Sequence, residues 1–154
     1  MKILFFAYLV CFILDTHPNV MRHRWQRAWV YETAHEVAEK TDATPQEGLR
    51  LMEIPVHESG FDAKAVGSKG ERGRWQVHGG SDFSAREALR RLRAGMVSFV
   101  GCRRAEDRVT LPNGVKTTCQ EMIDHRVGPA DDYLAAHPPP PVDRSEEVFA
   151  WETD

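Results

Sequence analysis

The sequence predicts a mainly α-helical domain with a small glycine-rich turn or hairpin region in its middle. Three observations carry that expectation. Apolar residues recur near a 3.6-residue period in several stretches, two of those stretches open on a capping signature, and six glycines punctuate the 21 residues from Gly60 to Gly80. At 154 residues the chain has room for one domain with a sizeable core. Its 42% apolar and 28% charged residues argue against a disordered chain, which would be poorer in apolar groups and more unbalanced in charge. Three parts are expected: a hydrophobic N-terminal segment at 1–20, a helical domain at 21–137, and a Pro-rich, acidic tail at 138–154.

The first element follows Lys2 and is the uninterrupted apolar run Ile3 to Leu14. Twelve residues are too few for a transmembrane helix, which needs about 20, but they match the apolar stretch of a secretory signal. No small-x-small cleavage site follows, since Asp15-Thr16-His17-Pro18-Asn19 comes next, and Cys11 lacks the small residues that precede a lipidated cysteine. Two readings therefore stand: an export or membrane-association signal, and a first buried helix or strand of the domain.

After the Pro18 break, Arg22 to Lys40 reads as a helix with Trp25, Ala28, Trp29, Ala34, Val37 and Ala38 on its apolar side. Thr44-Pro45-Gln46-Glu47 opens the next helix, with a Thr cap, Pro at the first helical position and Glu three residues after the cap. That helix runs toward Ser59 with Leu49, Leu51, Met52, Ile54 and Val56 as its apolar residues. Pro55 should kink it by removing one amide donor, and Glu58 falls in its last turn. Beyond the glycines, Ser84-Ala85-Arg86-Glu87 starts a helix expected to continue through Leu89, Leu92, Met96, Phe99 and Val100 to about Gly101. Arg103 to Lys116 is polar with a Pro112-Asn113-Gly114 turn. A short helix around Cys119 to His125 and a last piece over Ala130 to Ala136 are expected before Pro138 to Pro141 stop regular structure. The tail Asp143 to Asp154 is expected to be loosely attached, with Val148, Phe149 and Trp151 able to dock back.

Charge and cysteines narrow the function classes. With 20 basic and 23 acidic side chains the formal charge is -3, so no global field favours nucleic acid or an anionic membrane. Cys11, Cys102 and Cys119 allow at most one bridge, expected between Cys102 and Cys119, and none forms a C-x-x-C pair. No metal is implied, because His35-Glu36 and His57-Glu58 lack the second His of H-E-x-x-H, and no cofactor motif is present.

The segment Glu58-Ser59-Gly60-Phe61-Asp62-Ala63-Lys64-Ala65-Val66-Gly67, followed by Gly70-Glu71-Arg72-Gly73-Arg74-Trp75-Gln76-Val77, resembles the soluble lytic transglycosylase and goose-type lysozyme group. The shared pattern is Glu-Ser, an aromatic residue two positions after the Ser, an Ala at the end of the next turn, then Gly-x-x-Gly-x-x-Gln. The resemblance covers Thr44 to Gly80 well and the chain to Pro141 more weakly. It implies a lysozyme-like α+β catalytic domain at 21–137 that cleaves peptidoglycan, with Glu58 as general acid/base. It further implies Ser59, Phe61, Gly73, Trp75 and Gln76 along the substrate site. Such chemistry needs a carboxylic acid kept protonated near neutral pH, and an apolar setting at a helix end provides it by desolvation. Phe61, three residues on, is placed to exclude water from that carboxyl.

The sequence also departs from the group. Arg74-Trp75 stands where Leu-Met or Leu-Phe is usual, implying a more basic cleft, with Trp75 filling the core or stacking on a sugar. The later Tyr-Asn-x-Gly element is matched only by His125-Arg126-Val127-Gly128, with His125 at the Tyr position and Tyr133 as the other candidate. Asp62, Glu71 and Asp82 are the nearby second carboxylates, and none sits at a motif position. A transglycosylase, in which one Glu acts first as acid and then as base, is thus the leading expectation, and a hydrolysing lysozyme or endolysin the alternative. The expected partner is the peptidoglycan glycan strand, met as a monomer in the periplasm, outside the cell or at the membrane. Two other classes compete: a nucleic-acid or anionic-polymer binding module using Arg86, Arg90, Arg91, Arg93, Arg103 and Arg104, and an inactive wall-binding protein.

Overall fold

The computed structural model describes residues 2–80, 82–95, 104, 106–111 and 113–141. It is mainly helical, with five α-helices and one two-stranded sheet among these residues. The order is α1 (Ile3–Thr16), a 3₁₀ turn (Pro18–Met21), α2 (Arg24–Lys40), α3 (Pro45–Glu58), α4 (Ala85–Arg93), β1 (Arg108–Thr110), β2 (Lys116–Thr118) and α5 (Cys119–Ala136).

The central element is α3, which touches all four other helices. Thr44 accepts a hydrogen bond from the Glu47 amide and Glu47 answers to the Thr44 amide, so the helix starts where the sequence placed it. Seven of its residues are buried, among them Leu49, Leu51, Met52 and Ile54, as befits a helix enclosed on most sides. Pro55 cannot donate to the carbonyl of Leu51 four residues back, and the Trp75 indole N–H fills that acceptor at 2.8 Å.

The N-terminal run forms α1, whose buried face is Tyr8, Leu9, Phe12 and Ile13. It packs on α2 and α3, and the Tyr8 hydroxyl donates to the His137 carbonyl at 2.6 Å beyond the end of α5. Its outer face leaves Ile3, Leu4 and Leu14 exposed. No helix of the described residues is long and apolar enough to cross a membrane. The second helix begins at Arg24, with His23 at its cap and a 3₁₀ turn ending at Met21 before it, and Trp25 is exposed, stacked on His23, rather than packed inside.

Two expected boundaries shift. The Ser84 cap holds, accepting from the Glu87 amide, but α4 stops at Arg93 and Gly95 turns out at φ 65, so the helix does not run on toward Gly101. Met96, Phe99 and Val100 lie outside the described residues. At the other end the two short helices expected around Cys119 and Ala130 are one, α5, which passes through Gly128-Pro129. The carbonyl that Pro129 leaves without a helical donor belongs to His125, which is exposed to water, while Ile123, Val127, Ala130 and Tyr133 bury a continuous stripe. The polar stretch before it contains strands absent from the sequence reading: β1 and β2 pair antiparallel, Val109 opposite Thr117. Arg103, Pro112 and the tail residues Val148, Phe149 and Trp151 lie outside the described residues.

Candidate active site

The glycine-rich segment folds back beneath the end of α3 as a series of turns joined by isolated bridges, Val66 to Arg72 and Arg72 to Val77. Gly60 leaves the helix at φ 62 and donates to the Pro55 carbonyl at 2.8 Å. Gly73 is fixed twice over: its φ is 82, and a Cβ there would lie 2.9 Å from that of Phe83. Two residues that are not glycine, Phe61 at φ 72 and Gln76 at φ 48, also adopt left-handed backbone. For a bulky residue such as Phe61 that conformation is strained, and strain of this kind gathers at functional loops.

Glu58 is the last residue of α3, its side chain 17% exposed. Burial raises its pKa above the ordinary carboxylate value, against the lowering pull of the Arg126 guanidinium and of His57, while Glu71 pushes the same way as burial. The guanidinium of Arg126, on α5, donates directly to the Glu58 carboxyl. His125 is exposed on the same helix and Tyr133 directs its hydroxyl to Asp15 at 3.0 Å, so the residue that reaches the acid from α5 is Arg126 rather than either expected one. The buried stripe of α5 explains this. Arg126 follows Ile123 by three residues and precedes Ala130 by four, which sets it beside the apolar face, whereas a helix broken before Ala130 hides that relation.

Several residues expected along a substrate site are instead buried or bonded within the loop itself. Phe61 and Trp75 are completely buried, which leaves neither ring a face for a sugar. Ser59 donates to the Arg74 carbonyl at 2.5 Å and accepts from the Phe61 amide at 3.2 Å, pinning the turn after the helix. Gln76 is buried and donates to the carbonyls of Gly73 at 2.8 Å and Ala65 at 3.2 Å, so it stitches the loop together. Arg74 does not make a basic cleft: its guanidinium pairs with Glu32 and Glu36 of α2, each at 3.1 Å. The chain has no match among protein-family models, curated proteins or solved structures. Its reading rests on the residues themselves.

The second carboxylates all serve the local backbone. Asp62 accepts from the Lys64 amide at 2.9 Å, Glu71 from the Lys69 amide at 3.0 Å and Asp82 from the Ser84 amide at 2.9 Å. Of the three, Glu71 raises the Glu58 pKa through its charge. No group of three or more His, Cys, Asp or Glu side chains among the described residues is arranged to hold a metal ion. Cys119 is buried and disulfide-bonded, Cys11 is a free thiol, and Cys102 lies outside the described residues.

A cluster missed in the sequence lies one turn below the acid. Glu53 of α3 is fully buried, and its two oxygens meet His17 at 2.6 Å and His57 at 3.0 Å. The i,i+4 spacing of Glu53 and His57 was visible in the chain, but a charged residue in an apolar stretch gives no hint that a histidine 36 positions earlier is its other partner.

Four arginines of the cluster, Arg86, Arg90, Arg91 and Arg93, are engaged internally, while Arg104 is exposed. Arg90 and Arg91 bind Glu87, Arg93 binds both Glu47 and Asp42, and Arg86 reaches the Lys40 carbonyl. Arg93 holds the Glu47 carboxyl down to about 2. The concave surface beside them, about 730 Å³, is lined by Glu39, Asp42, Asp82 and Glu87 as well as by Arg86, Arg90 and Arg93. Mixed charge of this kind is a poor phosphate footprint.

Proposed function

We propose that the chain is a lytic transglycosylase that cleaves the MurNAc-GlcNAc β-1,4 bond of peptidoglycan on a lysozyme-like domain. The observation that carries the reading is Glu58. It ends the central helix in the Glu-Ser motif, largely withdrawn from water, and burial favours its neutral form. The strained, tightly cross-linked loop behind it gives the rigid wall that general acid catalysis requires.

In the proposed reaction Glu58 donates its proton to the glycosidic oxygen as the bond to the muramyl C1 breaks. The resulting carboxylate then takes the proton of the muramyl 6-hydroxyl as that oxygen attacks C1, closing a 1,6-anhydro ring and restoring the acid. No second carboxylate is needed. The hydrolysing alternative would draw on Glu71, the acidic side chain that Glu58 feels, to activate water. The proposed place of action is the periplasm, the cell exterior or the membrane surface, with the glycan strand as partner.

Mass spectrometry of muropeptides released from purified sacculi tests the reading. Fragments ending in 1,6-anhydromuramic acid are expected. Reducing ends would move the assignment to hydrolysis, and a folded protein that releases no fragment at all would overturn glycan cleavage.

A further inference from the structure

A general acid must be neutral when it delivers its proton, yet the side chain from α5 that reaches Glu58 is a cation, and a guanidinium bonded to a carboxyl favours its ionised form against the burial that favours the neutral one. The two influences oppose each other in this arrangement. We propose that Arg126 is a positioning residue that keeps Glu58 in an ionised resting form, and that productive binding of the glycan strand draws the guanidinium away, letting the carboxyl take up the proton it then donates. This rests on Glu58 being the acid.

The geometry suits such a gate. Arg126 is 39% exposed and Glu58 17%, so the arginine can leave into water at modest cost while the carboxyl it abandons stays poorly hydrated. A poorly hydrated carboxylate without its counter-ion binds a proton. Other charged groups facing Glu58 do not replace the guanidinium. His57, on the same helix, is bonded to Glu53, and Glu71, from the glycine-rich loop, carries the wrong sign and lies 3.8 Å from His78. Departure of Arg126 therefore removes the strongest charge favouring the carboxylate and leaves burial, which favours the neutral acid, opposed only by His57 among the larger influences.

The consequence is a difference between the free and the loaded enzyme. The pH dependence of kcat/KM reports the free enzyme and that of kcat the bound complex. Because activity needs protonated Glu58, it is lost as pH rises through the pKa of that group, and the loss should come at lower pH in kcat/KM than in kcat. In Arg126→Gln the two alkaline limbs should coincide, the kcat/KM limb moving up to the position of the kcat limb. Arg126→Lys, which keeps the charge, should retain the separation.

The experiment pairs these profiles, taken on soluble glycan strands, with infrared titration of the Glu58 carboxyl in ligand-free protein, assigned by difference against Glu58→Gln. A carboxyl that titrates at higher pH in Arg126→Gln than in wild type, together with merged limbs, supports the gate. An unmoved carboxyl, or limbs already coincident in wild type, overturns it. Failure of the underlying reading has its own signature, because an active Glu58→Gln protein removes the acid itself while leaving the infrared comparison intact.

Discussion

At the scale of the single residue, the site depends on how water is kept from one carboxyl. An amide cannot deliver a proton, so Glu58→Gln should keep the fold and lose activity at the upper end of the ~10²–10⁴-fold worth of acid/base catalysis, or beyond, since one group serves both steps. Asp62→Asn, Glu71→Gln and Asp82→Asn should each clear sacculi at close to the wild-type rate if the muramyl hydroxyl is the nucleophile. Turbidity loss, with circular dichroism as the folding control, compares all four. A second inactive but folded variant, with Glu71→Gln the one to watch, would assign a hydrolase. The place of Glu58 at the end of α3 was legible in the chain because its signals are local: Glu58, Ser59 and the glycines sit within one short segment. Its counter-ion was not, because Arg126 comes 68 residues later and a guanidinium beside a general acid contradicts the simplest expectation for that chemistry.

At the scale of the element, α3 and the loop beneath it are joined by a substitution of donors. Pro55 removes an amide and Trp75 supplies an indole N–H to the same carbonyl. Trp75→Phe retains most of the bulk but strands the buried Leu51 oxygen, which should cost about 1–3 kcal/mol in urea unfolding. Restoring the amide with Pro55→Ala in that background should recover part of the loss, so the double-mutant cycle should show coupling. Equal losses with and without Pro55 would mean that volume alone matters. Helix starts were readable throughout this region because caps are local chemistry: Thr44 with Glu47, and Ser84 with Glu87. Ends and continuity were less so. Gly128-Pro129 looked like a break, yet α5 survives it because its buried stripe outweighs one lost hydrogen bond on the wet side. Of the two roles open to Trp75 the structure shows the core-filling one, and Gln76 is buried within the loop, since a motif fixes residue types while burial decides which of them meet solvent.

At the scale of the whole molecule, α1 closes the helical assembly. It contributes four buried apolar side chains, ties its end to α3 through His17 and Glu53, and reaches the end of α5 through Tyr8. Withdrawing four such side chains forfeits on the order of 6–12 kcal/mol at about 1.5–3 kcal/mol each. That rivals the ~5–15 kcal/mol by which a native domain is stable at all. A chain beginning at Met21 should therefore lack a cooperative thermal transition, as followed by circular dichroism. A sharp transition within a few degrees of that of the full chain would show the helix to be dispensable. The same docking sets a deadline for any machinery that reads Ile3 to Leu14 as an apolar string. Four of its twelve residues are buried once α1 is seated, so recognition has to outrun folding, and slowing the seating of α1 would lengthen the interval in which the segment can be captured.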